Sequence, residues 1–348
     1  MTLMSRFTSR LDLNRGVIDM THGSGGRATA QLVSELFARL LDNPLLAQGN
    51  DGAVFSVPAG RLVISTDGHV VSPLFFPGGD IGKLSVTGTL NDLAMSGARP
   101  LYLAAAFIIE EGFPLRDLEI IVASMAVTAR EAGVSIVTGD TKVVEKGKGD
   151  GVFITTTGIG VVPDGLDISG SNLKPGDAII VSGSIGDHGI AVLSKRANLE
   201  FETEISSDCA ALHGLVADMV AAAPDIRCLR DPTRGGLGST LNELAQQSRV
   251  GMRLQESAIP ISPDVRAACE LLGMDPLYIA NEGKLIAITP AHTADRLLSV
   301  MRNHPLGAEA SIIGEVIPDS NAFVQMDTLF GGRRIVDWLT GEQLPRIC

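Results

Sequence analysis

The sequence predicts a two-domain enzyme of the α/β or α+β class, on three observations. The chain has 348 residues, room for two domains of ~100–200 residues each. Its apolar content is mostly Ala, Val, Ile and Leu, with 4% aromatics and 39 Gly, which suits short strands and helices joined by tight turns. A stretch rich in Gly, Pro, Asp and Ser, 163–176, separates two runs of strand and helix patterns. The expected division is a first domain at 1–163, a linker at 164–176, a second domain at 177–338 and a mobile tail at 339–348.

In the first half, Thr21-His22-Gly23-Ser24-Gly25-Gly26-Arg27 is a Gly-rich loop whose backbone N–H groups could face a phosphate. It lacks the Lys-Ser/Thr of a Walker A loop, and alone it reads first as a flexible linker. A helix follows from Ala28 to Leu41, with Leu32, Leu36 and Leu40 at four-residue spacing. Strands are expected at Asp51–Phe55 and Leu62–Gly68, then a helix of small residues from Ile81 to Gly97 that carries Asn91 and Asp92. A strand at Leu101–Ile109 and a helix at Pro114–Ala132, with Pro in its first turn, come next. Strands at Val134–Lys142 and Gly151–Val162 complete the half.

The second half opens with a strand at Asp177–Gly183, a turn and a helix at Ile190–Arg196. His188, in that turn, reads more readily as a satisfied turn histidine than as a catalytic one. Cys209–Ala223 is expected to be a core helix with an inert cysteine. Asp231-Pro-Thr-Arg234-Gly-Gly enters a helix at Gly238–Gln247, which makes an anion site at a helix start. Tyr278–Lys284 precedes a strand at Leu285–Ile288, and a helix at Ala291–Arg302 and a strand at Ser311–Ile317 close the domain. Asp327–Arg334 and Gly341–Pro345 read as loops.

A net charge of −12 argues against nucleic-acid or anionic-membrane partners. None of the four cysteines forms a C-x-x-C pair, so a structural zinc site is not expected. The N-terminal residues have no apolar core of a secretory signal, and the longest apolar run, Leu101–Ile109, is far too short to span a bilayer. A soluble cytoplasmic protein is expected. Asp51, Asp67, Asp92 and Asp140 all fall at the ends of elements. Asp-Gly alone marks an ordinary turn. Four such carboxylates, with a Gly-rich loop and Lys142, raise a Mg²⁺-nucleotide site to equal standing, since Mg²⁺ takes a few carboxylates plus substrate phosphates. Cys348 is set apart by its own α-carboxylate, which should raise its thiol pKa. On its own it reads first as simply the last residue of the chain; chemically it makes a poor resting nucleophile but a usable tethered carrier.

Taken together, Asp51-Gly-Ala, Ser65-Thr-Asp67-Gly, Asn91-Asp92-Leu-Ala-Met, Thr138-Gly-Asp140-Thr141-Lys142 and Asp231-Pro-Thr-Arg-Gly-Gly resemble the aminoimidazole ribonucleotide synthetase superfamily. Asn281-Glu-Gly-Lys284 and Pro345-Arg-Ile-Cys348 narrow the resemblance to its HypE family of hydrogenase maturation proteins. The resemblance covers the chain from His22 to Cys348 and implies a two-domain α+β fold, with a first domain that shares a β-barrel in a homodimer and an α/β second domain. It implies that ATP and Mg²⁺ are held by Asp51, Asp67, Asp92 and Asp140, with Asn91 and Thr141, under a loop of Gly23, Gly25 and Gly26. It also implies that the carbamoyltransferase HypF loads Cys348, that the carbamoyl group is dehydrated to a thiocyanate, and that cyanide passes to iron on a HypC–HypD complex for NiFe hydrogenase. Phosphoryl transfer makes the amide oxygen a leaving group, and a base must then take the amide proton. Glu282 is the preferred base, with Lys142 the other candidate. The ten tail residues could span at most ~35 Å. A small-molecule kinase or synthetase of the same superfamily, or a non-enzymatic carrier, are the competing readings. The first would leave Cys348 idle, and the second would leave the carboxylates idle.

Overall fold

The computed structural model describes residues 10–199, 204–339 and 347. Cys348 and most of the expected tail therefore lie outside the described residues.

The first half is built on a four-stranded sheet of β1 (Arg61–His69), β4 (Arg99–Glu110), β5 (Ser135–Val144) and β6 (Val152–Val162), in the order β1-β6-β4-β5. The minor hairpin β2 (Phe75–Phe76) and β3 (Gly79–Asp80) leads into the helix α3 (Ile81–Met95). Along β1 the side chains alternate. Val63, Ser65, Asp67 and His69 turn towards α3, while Leu62, Ile64 and Thr66 are exposed on the outer face. Asp80 caps α3 by accepting from the N–H groups of Gly82 and Lys83, at 2.7 and 3.0 Å. Every residue of α3 except Lys83 and Asp92 is buried. Small residues permit this: a Cβ on Gly82 would meet the Ile121 carbonyl of α4 (Leu115–Glu131), and one on Gly88 would meet His69. Ahead of the sheet, α1 (Arg27–Leu32) passes through a π-helical turn (Val33–Phe37) into α2 (Ala38–Leu40).

The second half is a seven-stranded mixed sheet in the order β13-β12-β9-β11-β7-β10-β8. Its strands are β7 (Asp177–Val181), β8 (Cys228–Arg230), β9 (Gly251–Gln255), β10 (Ile286–Pro290), β11 (Ser311–Ile317), β12 (Val324–Asp327) and β13 (Arg333–Ile335). Its main helices are α5 (Asp187–Ala197), α6 (His213–Ala222), α7 (Gly236–Ser248), α8 (Pro263–Leu272) and α9 (Ala291–Asn303). Ile179 and Val181 of β7 pack with Leu237, Leu241 and Leu244 of α7. Ile180 between them points to the other face, with α6 and α9. Ala94 and Met95 of α3 join that second cluster, so α3 belongs to both cores.

Four expectations are corrected. Asp51–Phe55 is not a strand: nothing pairs with it, and Phe55 instead lays its ring 4.4 Å from that of Tyr102. Asp327–Arg334 is not all loop, because its ends belong to the β12–β13 hairpin. The helix expected from Cys209 begins only at His213, since side chains hold the preceding residues: Ser207 Oγ accepts from Cys209 N, and Asn91 Oδ1 from Leu212 N. His188 lies in the first turn of α5, which starts three residues before the helix expected there. Among the described residues no helix is long and apolar enough to cross a membrane.

Candidate active site at the junction of the two sheets

A cavity of about 610 Å³ opens between the halves. Ser65 of β1 and Asp92 of α3 line one side, and Arg230, Asp231 and Arg234 line the other. Ser65 Oγ donates to Asp92 Oδ2 at 2.7 Å, and Arg234 stands 3.8 Å from Asp67 Oδ1. His69, buried on β1, reaches to 3.9 Å from Asp67.

Glu282 lies behind these residues, 3% exposed, with its Oε1 lacking any hydrogen-bond partner. Its backbone is firmly held. Its N–H donates to Asp208 Oδ1 at 3.0 Å, and its carbonyl accepts from Asn91 Nδ2 at 3.2 Å. Asn91 also donates to the Ala210 carbonyl at 3.1 Å, so its amide is committed to bracing the chain around Glu282. Asp208 in turn accepts from Lys284 Nζ at 3.1 Å.

The electrostatics follow from this crowding. Burial, then the charges of Asp208, Asp231 and Asp67, hold the Glu282 carboxyl well above the usual range, with Arg234 opposing. Burial and the charges of Asp92 and Asp67 push Asp231 up to about 7, against Arg230. Asp92 is raised by burial and by Asp67, and its bond from Ser65 works the other way. Carboxyls that raise one another's pKa form a set that a cation would relieve. Among the described residues no three of them close on one metal position. The set therefore fits a Mg²⁺ ion that keeps waters and takes substrate phosphate oxygens, and does not fit an all-protein cage.

The other residues expected at the site stand elsewhere. The row Asp67–Thr156–Ala105–Gly139 across the sheet faces the helices, and the next row, Gly68–Thr155–Ala106–Asp140, faces outward. Asp140 is thus on the opposite face from Asp67 and three strand spacings away, about 14 Å. Lys142 shares that outer face, opposite Ile108, and its Nζ lies 3.2 Å from Asp140 Oδ2. The glycine loop sits against the same edge strand. A Cβ on Gly23 would come within 2.7 Å of Val143 N, whereas Gly25, at φ +80°, and Gly26 have open space beside them. Thr141 donates its N–H to Asp140 Oδ1 at 2.8 Å. Asp51 is exposed in the segment before β1. Asp67, Asp92 and Glu282 are therefore gathered at the junction, while Gly23, Gly25, Gly26, Asp140, Thr141 and Lys142 are gathered at the sheet edge.

One described residue of the C-terminal segment reaches the junction. Ile347 forms an antiparallel bridge with Val71, just beyond β1, and its side chain is buried in the first-half core. Its carbonyl accepts from His188 Nε2 at 2.6 Å, and His188 Nδ1 lies 2.8 Å from Ser207 Oγ. Ser207, Asp208 and Cys209 are consecutive. They touch His188, the Glu282 backbone and Thr87 of α3 respectively, the last through a thiol–hydroxyl contact of 3.0 Å. Sequence reasoning missed Ser207 and Asp208, which sit in no motif. Burial pushes the thiols of Cys209 and Cys228 up to about 12, and that of Cys269 up to about 11.

Comparison with known proteins places the whole chain in one family. The AIR synthase related protein family matches through its N-terminal domain at residues 49–162 and its C-terminal domain at 174–327. The carbamoyl dehydratase HypE of Azotobacter vinelandii is 69% identical over 340 residues, covering 98% of this chain and all of that protein. A crystal structure of the hydrogenase maturation protein HypE in complex with ATP superposes with a TM-score of 0.91 at 50% identity, over 94% of this chain and 99% of that one. A crystal structure of a HypE–HypF complex matches with a TM-score of 0.79 at 49% identity, over 88% of this chain and 99% of that one. The chain belongs to the HypE, or carbamoyl dehydratase, family within the AIR synthase related proteins.

Proposed function

We propose that this chain is a cytoplasmic, ATP-dependent carbamoyl dehydratase that converts an S-carbamoyl group on Cys348 to a thiocyanate, for the cyanide ligand of a NiFe hydrogenase. The observation that carries the reading is the Val71–Ile347 bridge. The bridge sets Ile347 beside Val71, two residues past His69 at the end of β1. The three other cysteines are buried with raised pKa values, which leaves Cys348 as the carrier. A HypF-type carbamoyltransferase would load it, and a HypC–HypD-type iron scaffold would accept the product.

Asp67, Asp92 and Asp231 would hold Mg²⁺ and the phosphates, with Arg234 beside them for anionic charge. Bound Mg-ATP supplies the phosphoryl group that makes the carbamoyl oxygen a leaving group. In its ionised form Glu282 accepts the amide proton, and the raised pKa makes that carboxylate a stronger base than an exposed one. Asn91 and Asp208 keep its backbone in place for that step.

The outer face of the first sheet exposes Leu62, Ile64 and Ile108, an apolar surface suited to a second copy of the chain. In such a homodimer the edge-strand group, Asp140 and Lys142 with the glycine loop, would serve across the interface. The decisive experiment is mass spectrometry of the C-terminal peptide of carbamoyl-loaded protein before and after Mg-ATP. Loss of one water at Cys348 is expected, with the loss abolished in Asp67→Asn and Asp92→Asn, which should also weaken Mg-ATP binding by at least tenfold in calorimetry. ATP consumption by loaded protein with no change at Cys348 would instead favour a small-molecule kinase.

A further inference from the structure

We propose that His188 is the positioning residue that latches the C-terminal segment into the site, by gripping the peptide carbonyl next to the carrier cysteine. The proposal rests on Cys348 being that carrier. His188 is fully buried, and its Nε2 meets the Ile347 carbonyl at 2.6 Å across 159 residues of sequence. A carbonyl can only accept, so Nε2 carries the proton. Nδ1 is then the acceptor, and the Ser207 hydroxyl donates to it at 2.8 Å. Ser207 Oγ still accepts from Cys209 N at 3.1 Å, so every group in the relay has its partner. The ring is further fixed edge-on to Phe76, with centroids 5.5 Å apart and planes at 90°. Burial lowers its pKa, in keeping with this neutral tautomer.

The helix α5, which carries the latch, is fastened to the segment before β10 that carries the base. Gly186 N donates to Asn281 Oδ1 at 2.8 Å, and Gly189 N donates to the Ala280 carbonyl at 3.1 Å. His188 and Glu282 therefore sit on segments tied directly to one another. Holding Ile347 against His188 fixes the last peptide relative to the base, which dehydration needs. The same contact must break before the thiol can meet a loading enzyme or an acceptor. A histidine serving only the second-half core would have no reason to bond residue 347.

The latch is tested in the full-length protein with iodoacetamide, reading alkylation at each cysteine by peptide mass, and in single-turnover dehydration of loaded protein. His188→Ala should speed alkylation of Cys348 several-fold to about tenfold, the range one neutral hydrogen bond supports, and slow dehydration by a similar factor. His188→Gln, which keeps a donor near Nε2, should restore part of both. Cys209, Cys228 and Cys269 should stay unreactive, and their labelling would reveal a general loosening. Ser207→Ala leaves the imidazole in place and removes its support. It should shift both rates the same way by less, and it stands in if His188→Ala fails to fold. Unchanged Cys348 alkylation in folded His188→Ala, or in Ser207→Ala should that be the only folded variant, overturns the latch. A change in alkylation with no dehydration even in the unaltered protein would leave the latch standing and remove the carrier reading.

Discussion

Glu282 is a carboxyl kept where its charge is unwelcome, and the molecule should be less stable for it. Its folded pKa lies above its unfolded one, so between those two values the folded state binds more protons. Stability is therefore lost as pH rises above about 4.5, the unfolded value, and through the raised folded one. Glu282→Gln removes this penalty. We expect a higher melting temperature than the unaltered protein at pH 7, by about 2–4 °C for each kcal/mol gained, with the difference closing towards pH 4. Dehydration should be lost in the same variant. Equal melting temperatures at pH 7 would mean the carboxyl is not strained. The sequence pointed to Asp67 and Asp92 through their motifs and to Glu282 through Asn281-Glu-Gly-Lys284, but not through element ends: Asp92 lies inside α3 and Asp140 in the middle of β5. It could not point to Asp208 or Ser207, whose roles arise only when residues 207–209 meet α5 and the Glu282 segment. It also weighed His188 as a turn residue, because a partner 159 positions away leaves no local trace.

At the scale of elements, the long first-half strands and the helices α3 and α4 were legible because their patterns run for 9 residues or more. The strands β8 and β13, of three residues each, were not, since so short a run shows no period. Nor did the sequence show which face of β5 an Asp would take. A bulge in β5, where Val137 has no partner between the pairs Leu103–Ile136 and Ala104–Thr138, shifts the register and places Asp140 on the outer row. The turn after Glu282 is equally constrained. A Cβ on Gly283 would lie 1.8 Å from the Asp208 carbonyl oxygen, a backbone atom that cannot step aside alone. Gly283→Ala should therefore displace Asp208 from Glu282. Urea unfolding should register a loss of about 1–3 kcal/mol from overpacking. A variant of unchanged stability and activity would show that the 207–209 segment yields freely.

For the whole molecule, the division of the predicted residues between two faces of one sheet has a stoichiometric consequence. If a second copy completes each site, an Asp67→Asn chain and a Lys142→Ala chain are each inactive alone. Their heterodimer carries one site with both residues intact and one with neither. Mixing the two under conditions that allow exchange should then recover about a quarter of full activity, as two-fold symmetry and random pairing dictate. No recovery from a mixture shown to exchange would confine the site to one chain. The silence of Cys209, Cys228 and Cys269 matters here for a practical reason. Burial holds all three thiols well above the ordinary cysteine range, so they are ionised far less than an exposed thiol at neutral pH. A maleimide dye or spin label attached to the unaltered protein therefore has a single address, Cys348. Where that segment lies at each stage of the cycle can be followed spectroscopically without first engineering a cysteine-free background.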